Sequence, residues 1–365
     1  MVPDGKKIMM TLKVGIIGLG GVSDPHLRAY SQVAGIKVVA ASEPRQQRLD
    51  EMCAQHGFRG YTDYCAMLEQ EDLDIACVLV PASLHWEVTE ACARAGVHVF
   101  CEKPIAMTLS DAQHMVSACD QYGVKFFYGA SYRFLPAIQK ARELIDSGAI
   151  GEVLLMTESV LGGKGPQAHV PLGFVHCPKG GPGGSGMGLV DHGIHMIDLF
   201  PWLTNSEIVS VTGRGNISGE TPATEHVHMQ FANGAVGQLL YNDCTFDADL
   251  PAEGIFSQGD AWGINGHIPA DTWHANPGCI RIYGTRGSLR VFHYANHLFL
   301  HDEESLRQIQ LPSQPPPAQF GMQMESFIRS IHADQPPEVT GQDGIIALRA
   351  LLAVYDPRIS VKDDQ

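Results

Sequence analysis

The first third of the chain alternates two patterns of apolar positions. Short runs that are apolar throughout and rich in β-branched or aromatic residues predict buried strands at residues 13–20, 36–43, 75–80, 97–102 and 125–130. Between these runs, apolar residues recur at helical spacing and predict helices at residues 23–34, 46–56, 84–95 and 109–122. Strands without polar alternation that are joined by helices are typical of a parallel sheet covered on both faces. The pattern therefore predicts an α/β fold that begins with a doubly wound, nucleotide-binding sheet.

A different pattern begins after the fifth predicted strand. An amphipathic segment at residues 134–146 predicts a helix. Apolar and polar positions then alternate on either side of an Asn233-Gly234 turn, which predicts a β-hairpin at residues 225–242. The same design recurs at residues 279–292. These antiparallel signals indicate a second domain with its own sheet.

Two more helices, predicted at residues 320–332 and 343–355, follow the second hairpin. A Gly- and Pro-rich stretch at residues 161–188 has too few apolar residues for a helix or a strand, and loops of that length are usually functional or mobile. We therefore expect a nucleotide-binding domain at residues 10–130 and a second α/β domain, which includes the last helices, at residues 131–365.

The charge of the chain limits its partners. It has 25 Lys and Arg against 40 Asp and Glu, a formal net charge of -15, which disfavours nucleic acid or an anionic membrane because both need clustered basic residues. Its nine cysteines are scattered without a CxxC pair, and no segment has the pattern of a signal peptide or a membrane span. We expect a cytoplasmic protein that binds a small molecule.

A glycine-rich turn ends the first predicted strand. In "VGIIGLGGVSDPHL", a helix follows directly on Gly18, Gly20 and Gly21. Val22 is predicted to bind the cofactor together with these glycines, and Ser23 takes the third glycine position of the dinucleotide fingerprint. Such a turn lets a pyrophosphate approach the amides at the helix start, and its place in the first βα unit favours this interpretation over a merely structural turn. We expect a dinucleotide to bind at these residues.

The acid at the end of the second strand bears on the choice of cofactor. Glu43 lies 23 residues beyond Gly20, where a carboxylate binds the adenosine ribose hydroxyls and repels a 2′-phosphate. NAD is therefore favoured over NADP. Arg45 and Arg48 follow closely and leave NADP open as the alternative, because either guanidinium could receive that phosphate.

Candidate acid–base residues lie in "GMGLVDHGIHMIDLFPWL". Helical spacing places Asp191 and His195 on one face, with Asp198 one turn further, so His195 is predicted to lie between two carboxylates. A carboxylate that orients an imidazole makes a general base suited to an alcohol proton, although a surface pair or a helix cap would give the same pattern. A metal site on His192 and His195 is poorly supported, since these side chains diverge by about 60° and no third ligand is obvious. No metal is expected.

The fourth predicted strand ends in charged residues. "VHVFCEKPIAMTL" passes from an apolar run into Glu102, Lys103 and Pro104. The carboxyl edge of a doubly wound sheet is where such folds bind ligands, so these residues are predicted to face a cofactor and not bulk water.

Several separated motifs resemble those of the glucose-fructose oxidoreductase, inositol dehydrogenase and MocA (Gfo/Idh/MocA) family. The resemblance covers nearly the whole chain. The motifs, in chain order, are "GLGGVSDPHL", "VPASLHWEV" with Pro81 and His85, "EKP", "YRFLPAIQKARELIDSGAIGEV" and "DHGIH". The family implies a Rossmann domain, a second α/β domain with a large and mostly antiparallel sheet, and a homodimer or homotetramer formed through that sheet.

The resemblance also implies roles for residues of the site. Pro81, His85 and Glu102 would help to hold the cofactor, and a cis peptide before Pro104 would aim the preceding side chain. Lys103 would contact both the nicotinamide ribose and the reacting oxygen. Asp191 and His195 would form the catalytic pair, with His195 also contacting substrate.

Candidate substrate contacts lie in the second predicted domain. Arg133, in "YRF", matches a position that reaches substrate in some relatives, with a salt bridge at the domain interface as the alternative. Lys164, His169 and His176 of the long loop are candidate contacts, although the upstream part of this loop gives no match to the family. Trp273 offers an aromatic face for a sugar ring.

The function implied is an NAD-dependent dehydrogenase that oxidises a secondary hydroxyl of a sugar, sugar derivative or cyclitol, or runs the reduction. The alternative enzyme is a glycoside hydrolase or lyase that keeps NAD tightly bound, oxidises a sugar transiently, eliminates, and then reduces it again. A dinucleotide-sensing regulator is a third hypothesis, which the presence of Lys103, Asp191 and His195 disfavours.

Overall fold

The computed structural model describes residues 11–161, 189–215, 224–242, 279–293, 296–312 and 318–361. Within these ranges the chain forms a sheet of six strands and a sheet of eight strands. Lys164, His169, His176 and Trp273 lie outside the described residues.

The first sheet is wholly parallel. Its strands are β1 (Leu12–Ile17), β2 (Ile36–Ser42), β3 (Arg59–Tyr61), β4 (Ile75–Val78), β5 (His98–Cys101) and β6 (Phe126–Tyr128). They lie in the order β3-β2-β1-β4-β5-β6, and every neighbouring pair is parallel. The central strands β1, β4 and β5 are almost completely buried, which is why they have no polar alternation. This confirms the doubly wound sheet.

Helices join these strands as predicted, with one addition. They are α1 (Ser23–Tyr30), α2 (Gln46–His56), α3 (Tyr64–Gln70), α4 (His85–Arg94) and α5 (Leu109–Tyr122). The strand β3 and the helix α3 were not predicted, because β3 is a three-residue edge strand, largely exposed, without an apolar run. The strand that ends before Glu102 is therefore the fifth of this sheet and not the fourth.

The strands of the first sheet end in register. Ile17 lies opposite Ser42 on one side and Val78 on the other. Cys101 lies opposite Val78 and Tyr128 in the same way. The residues that follow each strand therefore share one edge of the sheet, which is the carboxyl edge.

The second sheet is mostly antiparallel. Its strands are β7 (Val153–Leu161), β8 (Ile208–Arg214), β9 (Glu225–Phe231), β10 (Val236–Asn242), β11 (Cys279–Gly284), β12 (Gly287–Phe292), β13 (His297–Asp302) and β14 (Leu306–Ile309). The order is β14-β13-β12-β11-β7-β10-β9-β8, and β7 with β10 is the parallel pair. Both predicted hairpins are confirmed, as β9–β10 and β11–β12.

The remaining helices lie on both sheets. They are α6 (Pro136–Asp146), α7 (Ile194–Thr204), α8 (Ala318–Ala333) and α9 (Gly341–Tyr355). Phe320 of α8 packs on His26 of α1 with 4.2 Å between ring centroids, and Gly344 of α9 lies so close to Tyr128 of β6 that an added Cβ would be 3.1 Å from its ring. The last helices thus return to the first sheet, and the division at residues 10–130 and 131–365 stays a prediction.

No helix among the described residues is long and apolar enough to cross a membrane.

Candidate active site

The glycine turn after β1 leaves space in front of the start of α1. Gly18 has φ +97°, and an added Cβ would lie 2.8 Å from the carbonyl oxygen of Leu79, so a side chain there would clash with the backbone just beyond β4. At Gly20 and Gly21 an added Cβ would meet nothing within 4 Å. Ser23 is buried, and its hydroxyl donates to the Gly20 carbonyl at 2.7 Å. The turn therefore fits a pyrophosphate, because the backbone is rigid where it meets the sheet and open where a ligand would approach.

Glu43 lies directly beyond β2 at the same edge. Its carboxylate accepts from the Leu19 amide at 3.0 Å and from the Arg45 Nε at 2.7 Å. Burial raises the pKa of this carboxyl, but the hydrogen bonds and charge from Arg45 and Leu19 outweigh it and hold the pKa below its usual range. Arg48 makes two 3.0 Å hydrogen bonds to Asp24. A buried negative charge thus stands at the position expected for the ribose contact, and Arg48 is held in a different ion pair.

Pro81 and His85 follow β4. Pro81 precedes a single 3₁₀ turn at Ala82–Leu84, after which α4 begins at His85. The two ring nitrogens of His85 lie 2.9 Å from the Val80 carbonyl and 3.1 Å from the Ile105 carbonyl. The imidazole therefore links the segments that leave β4 and β5, and in this way it shapes the edge at which a cofactor would bind.

Glu102 lies directly beyond β5 and is the centre of a buried hydrogen-bonded chain. Its carboxylate accepts from the Lys103 amide at 2.9 Å and lies 2.9 Å from Nε2 of His26, whose Nδ1 is 2.9 Å from the Tyr30 hydroxyl. Burial raises the pKa of Glu102, but His26 and Lys103 outweigh it and hold the pKa below its usual range. The role of His26 was not predicted, although it lies in the quoted "GLGGVSDPHL" motif.

Lys103 reaches from the first sheet to the segment that precedes α7. Its Nζ lies 2.6 Å from Oδ1 of Asp191 and 3.1 Å from the Asp191 carbonyl oxygen. The ammonium is largely buried, with 9% of the side chain exposed, while Asp191 is 32% exposed. The Lys103–Pro104 peptide bond is cis, as the resemblance implied. Two of the three predicted catalytic residues are thus in direct contact, although 88 positions separate them in the sequence.

His195 is buried beside this pair, but not between two carboxylates. Its ring stacks on Tyr132 with 3.9 Å between centroids and an interplanar angle of 1°. Residues Leu189–Gly193 form a π-helical turn, so the regular helical spacing assumed for Asp191 does not hold. Burial, followed by the positive charge of Lys103, holds the pKa of His195 well below 6.5. The imidazole is therefore neutral at pH 7, as a base must be.

Arg133 explains why Asp198 does not reach His195. Its guanidinium binds Asp198 through two hydrogen bonds, at 2.8 and 2.6 Å, and Asp343 through a third at 3.0 Å. All of Arg133 but 6% is buried. The salt bridge that was the alternative for this residue is the arrangement observed, and it joins α7 to α9.

Two family models match the chain. The model of the oxidoreductase family with an NAD-binding Rossmann fold matches residues 12–130, and the model of the Gfo/Idh/MocA C-terminal domain matches residues 138–290. Together they cover well over half of the chain. The chain belongs to the Gfo/Idh/MocA oxidoreductase family.

The chain is similar to several named dehydrogenases. The chain is 26% identical over 349 residues to the myo-inositol 2-dehydrogenase of Thermotoga maritima, a match that covers 92% of this chain and 93% of that protein. It is also 38% identical to the D-apiose dehydrogenase of Paraburkholderia graminis over 140 residues, a match that covers 38% of this chain and 37% of that protein. A solved levoglucosan dehydrogenase in complex with NADH and levoglucosan has the same fold, with a TM-score of 0.75, 21% identity, and coverage of 94% of this chain and 96% of that chain.

In this Gfo/Idh/MocA chain the carboxyl edge brings together the predicted cofactor and catalytic residues. A glycine turn, a buried acid and a lysine lie at the ends of β1, β2 and β5, in a domain that binds NAD in this family. From the second domain, Asp191 and His195 add a carboxylate and a neutral imidazole. The ammonium can stabilise the negative charge that develops on an alcohol oxygen, and the neutral imidazole can accept the hydroxyl proton.

A second buried group, next to His195, was missed from the sequence. Glu158 on β7 accepts from the Tyr241 hydroxyl at 2.7 Å and lies 3.1 Å from Nε2 of His192. His293, just after β12, lies 3.9 Å from the same carboxylate. The available signal was the single acid in the strand sequence "VLLMTESVL", since a carboxylate within an apolar strand needs a partner.

Proposed function

We propose that this chain catalyses NAD-dependent oxidation of a secondary hydroxyl of a sugar, sugar derivative or cyclitol, or the reverse reduction. The observation that carries the proposal is the 2.6 Å contact between Lys103 Nζ and Asp191 Oδ1, with the neutral His195 beside it and the glycine turn at the same edge. The names of the relatives support the substrate class, because inositol, apiose and levoglucosan all carry secondary hydroxyls on a compact ring or short carbon chain.

Each residue has one task in the proposed reaction. NAD, when bound, supplies the hydride acceptor. Lys103 binds the substrate oxygen and stabilises the negative charge that develops on it. Asp191 orients the ammonium, and His195 accepts the hydroxyl proton at a ring nitrogen. Arg133 has no task in this proposal, because its guanidinium is bound by carboxylates.

The cofactor preference is part of the proposal. Glu43 supports NAD over NADP, since its carboxylate would repel a 2′-phosphate and bind ribose hydroxyls. The hydrolase or lyase alternative is not favoured by the relatives above, which are dehydrogenases, and we do not propose it. Membership of an oxidoreductase family likewise sets aside the regulator hypothesis.

The test is a pair of substitutions with matched controls. Lys103→Met and His195→Ala should each lower kcat by about 10²-fold or more, the usual scale for a positioned acid or base, while NAD affinity changes little. Lys13→Met is the control for the lysine, because Lys13 also pairs with an aspartate, at 2.8 Å, but lies at the far end of β1. His301→Ala, at an exposed histidine of β13, is the control for the imidazole.

Rates would be measured by NADH formation on a panel of cyclitols, pentoses and anhydrosugars. Near wild-type turnover in both site variants, on the best substrate of the panel, would contradict the assignment. Product without net NADH would instead indicate the elimination chemistry.

A further inference from the structure

Three buried side chains close to His195 have no role in the proposed reaction. They are Glu158 on β7, His192 in the π-helical turn before α7, and His293 after β12. Each is at most 1% exposed, and one ligand atom of each lies within 4.8 Å of the other two. Within the described ranges, no other three histidine, cysteine or acidic side chains meet in this way.

The distances between the donor atoms suit an ion. Nε2 of His192 lies 3.1 Å from Oε2 and 3.2 Å from Oε1 of Glu158, and Nε2 of His293 lies 3.9 Å from Oε1. Donors around an ion with bonds of about 2.1 Å are separated by roughly 3.0–3.4 Å, depending on geometry. The contacts between Glu158 and His192 already fall in this range, whereas His293 would have to move closer by about half an ångström or more to complete the set. That gap of 3.9 Å is also too long for a hydrogen bond.

Groups around the three side chains hold them in place. The Tyr241 hydroxyl donates to Oε2 of Glu158 at 2.7 Å, and the Tyr132 hydroxyl lies 3.4 Å from Nδ1 of His192. Metal-binding imidazoles commonly use their second nitrogen for such a contact, which fixes the tautomer and the ring orientation. His195 stacks on the same Tyr132 ring. Tyr132 therefore contacts both His192 and the proposed base.

A simple ion pair between Glu158 and His192 is the competing explanation. It requires one imidazole, whereas two imidazoles from different elements converge on this carboxylate. Burying a carboxylate and two histidines together carries a desolvation cost. A shared cation would offset this cost because it would bind all three side chains at once.

We propose that Glu158, His192 and His293 bind one first-row divalent ion, for which zinc fits the two-imidazole, one-carboxylate set best. The ion would tie the π-helical turn at Leu189–Gly193 to β7 and β12, and so hold the segment that carries Asp191 and His195. The three side chains leave room in the coordination sphere for water. The proposal is independent of the proposed reaction, because metal binding can be measured without substrate or NAD.

The test uses the full chain purified without a polyhistidine tag. The protein is stripped with dipicolinate, incubated with zinc chloride, passed through gel filtration and analysed by inductively coupled plasma mass spectrometry. We expect about one zinc per chain and a higher thermal unfolding temperature in zinc than in chelator, because an ion that binds the native state stabilises it. Cobalt chloride added to the stripped protein should give the visible d–d absorption of a low-coordinate site.

Variants assign the ion to these residues. Glu158→Gln and His293→Asn should each lower the zinc retained at least about tenfold, as loss of a ligand does, and should abolish the thermal shift. His301→Asn, at an exposed histidine, should retain both. Circular dichroism checks that the variants fold; if they do not, the zinc content, thermal shift and cobalt spectrum of the wild-type chain decide.

Two outcomes would overturn the proposal. One is a wild-type chain that retains less than about 0.1 zinc after reloading and is not stabilised by it. The other is a folded site variant that retains as much zinc as the wild type, because the ion would then lie elsewhere.

Discussion

At the scale of single residues, the protonation state of His195 follows from its surroundings. The ring is buried, and the positive charge of Lys103 adds to the effect of burial, so its pKa lies well below 6.5. A group with a lowered pKa keeps its neutral, basic form as the pH falls from 8 to 6.5, and loses it only when the pH passes below its own pKa.

This gives a pH prediction. For alcohol oxidation, kcat/KM should stay level through pH 6.5 and fall only well below it, because kcat/KM reports groups of the free enzyme and the pKa of His195 lies well below 6.5. Initial rates at saturating NAD, with a deuterated substrate to verify that hydride transfer limits the rate, are the measurement. If kcat/KM fell with a midpoint above pH 7, His195 would not be the base. The same conclusion would follow if His195→Ala showed the same fall at low pH as the wild type.

Cofactor choice is also decided at one side chain. Glu43→Gln should lower the ratio of kcat/KM with NAD to kcat/KM with NADP by about tenfold or more, since the variant removes the charge that repels a 2′-phosphate and releases Arg45 to bind it. Glu71→Gln is the matched control: Glu71 is as buried, at 4% against 5%, and pairs with the similarly exposed Arg59, but lies away from the carboxyl edge. An unchanged ratio in Glu43→Gln would remove Glu43 from the cofactor site.

Single residues also show where reading the sequence succeeds and fails. Lys103, Asp191 and His195 are found because each lies in a short motif whose spacing is visible. Glu158 and His293 are not found, because only the fold of the second sheet brings them to His192. Glu158 lies on β7, 34 positions before His192, and His293 follows β12. A long-range contact of this kind has no local pattern.

At the scale of elements, local signals gave helix ends and missed short edge strands. The bounds of α2 and α5 agree with the prediction because left-handed glycines, Gly57 and Gly123, end both helices. The π-helical turn before α7 was missed, because the sequence is compatible with a regular helix and the extra residue is set by contacts with Lys103 and β7. That turn changes the spacing between Asp191 and His195, whereas Asp198, inside α7, is held by Arg133.

The junction of α7 and α9 carries the element-scale prediction. Arg133→Met should lower the free energy of unfolding by about 3 kcal/mol, because it leaves Asp198 buried without its guanidinium. The loss should be smaller at low pH: burial already raises the pKa of Asp198, removing Arg133 raises it further, and protonation relieves the buried charge. Urea unfolding at two pH values measures both effects.

The same variant separates the two interpretations of Arg133. With a structural salt bridge, KM for the substrate should be unchanged in the folded variant, whereas a substrate contact would raise KM. Arg94→Met removes an exposed ion pair with Glu90 and should cost less than about 1 kcal/mol. Equal losses in the two variants would contradict the structural role.

At the scale of the molecule, the two faces of the second sheet differ. One face contributes Ile280, Ile282 and Leu289 to the main core. The opposite face carries a separate apolar cluster of Cys279, Phe292 and Phe299, where the two phenylalanine rings meet edge to face at 5.9 Å. These three side chains are buried, whereas Tyr283 on the same face is 39% exposed, and an exposed aromatic side chain on a sheet face is suited to burial against another copy of the chain.

We therefore expect a homodimer or homotetramer formed through that face, as the family resemblance implies. Tyr283 lies on it opposite Leu155 and is 39% exposed, so Tyr283→Lys would place a charge in the interface and should shift the chain towards monomer in light scattering coupled to gel filtration. Tyr122→Lys is the control, since Tyr122 is 41% exposed but lies at the end of α5 in the first domain. The two tyrosines differ little in exposure, so a shift seen only with Tyr283 assigns the interface to the sheet. A monomeric wild type, or equal shifts in both variants, would place assembly elsewhere.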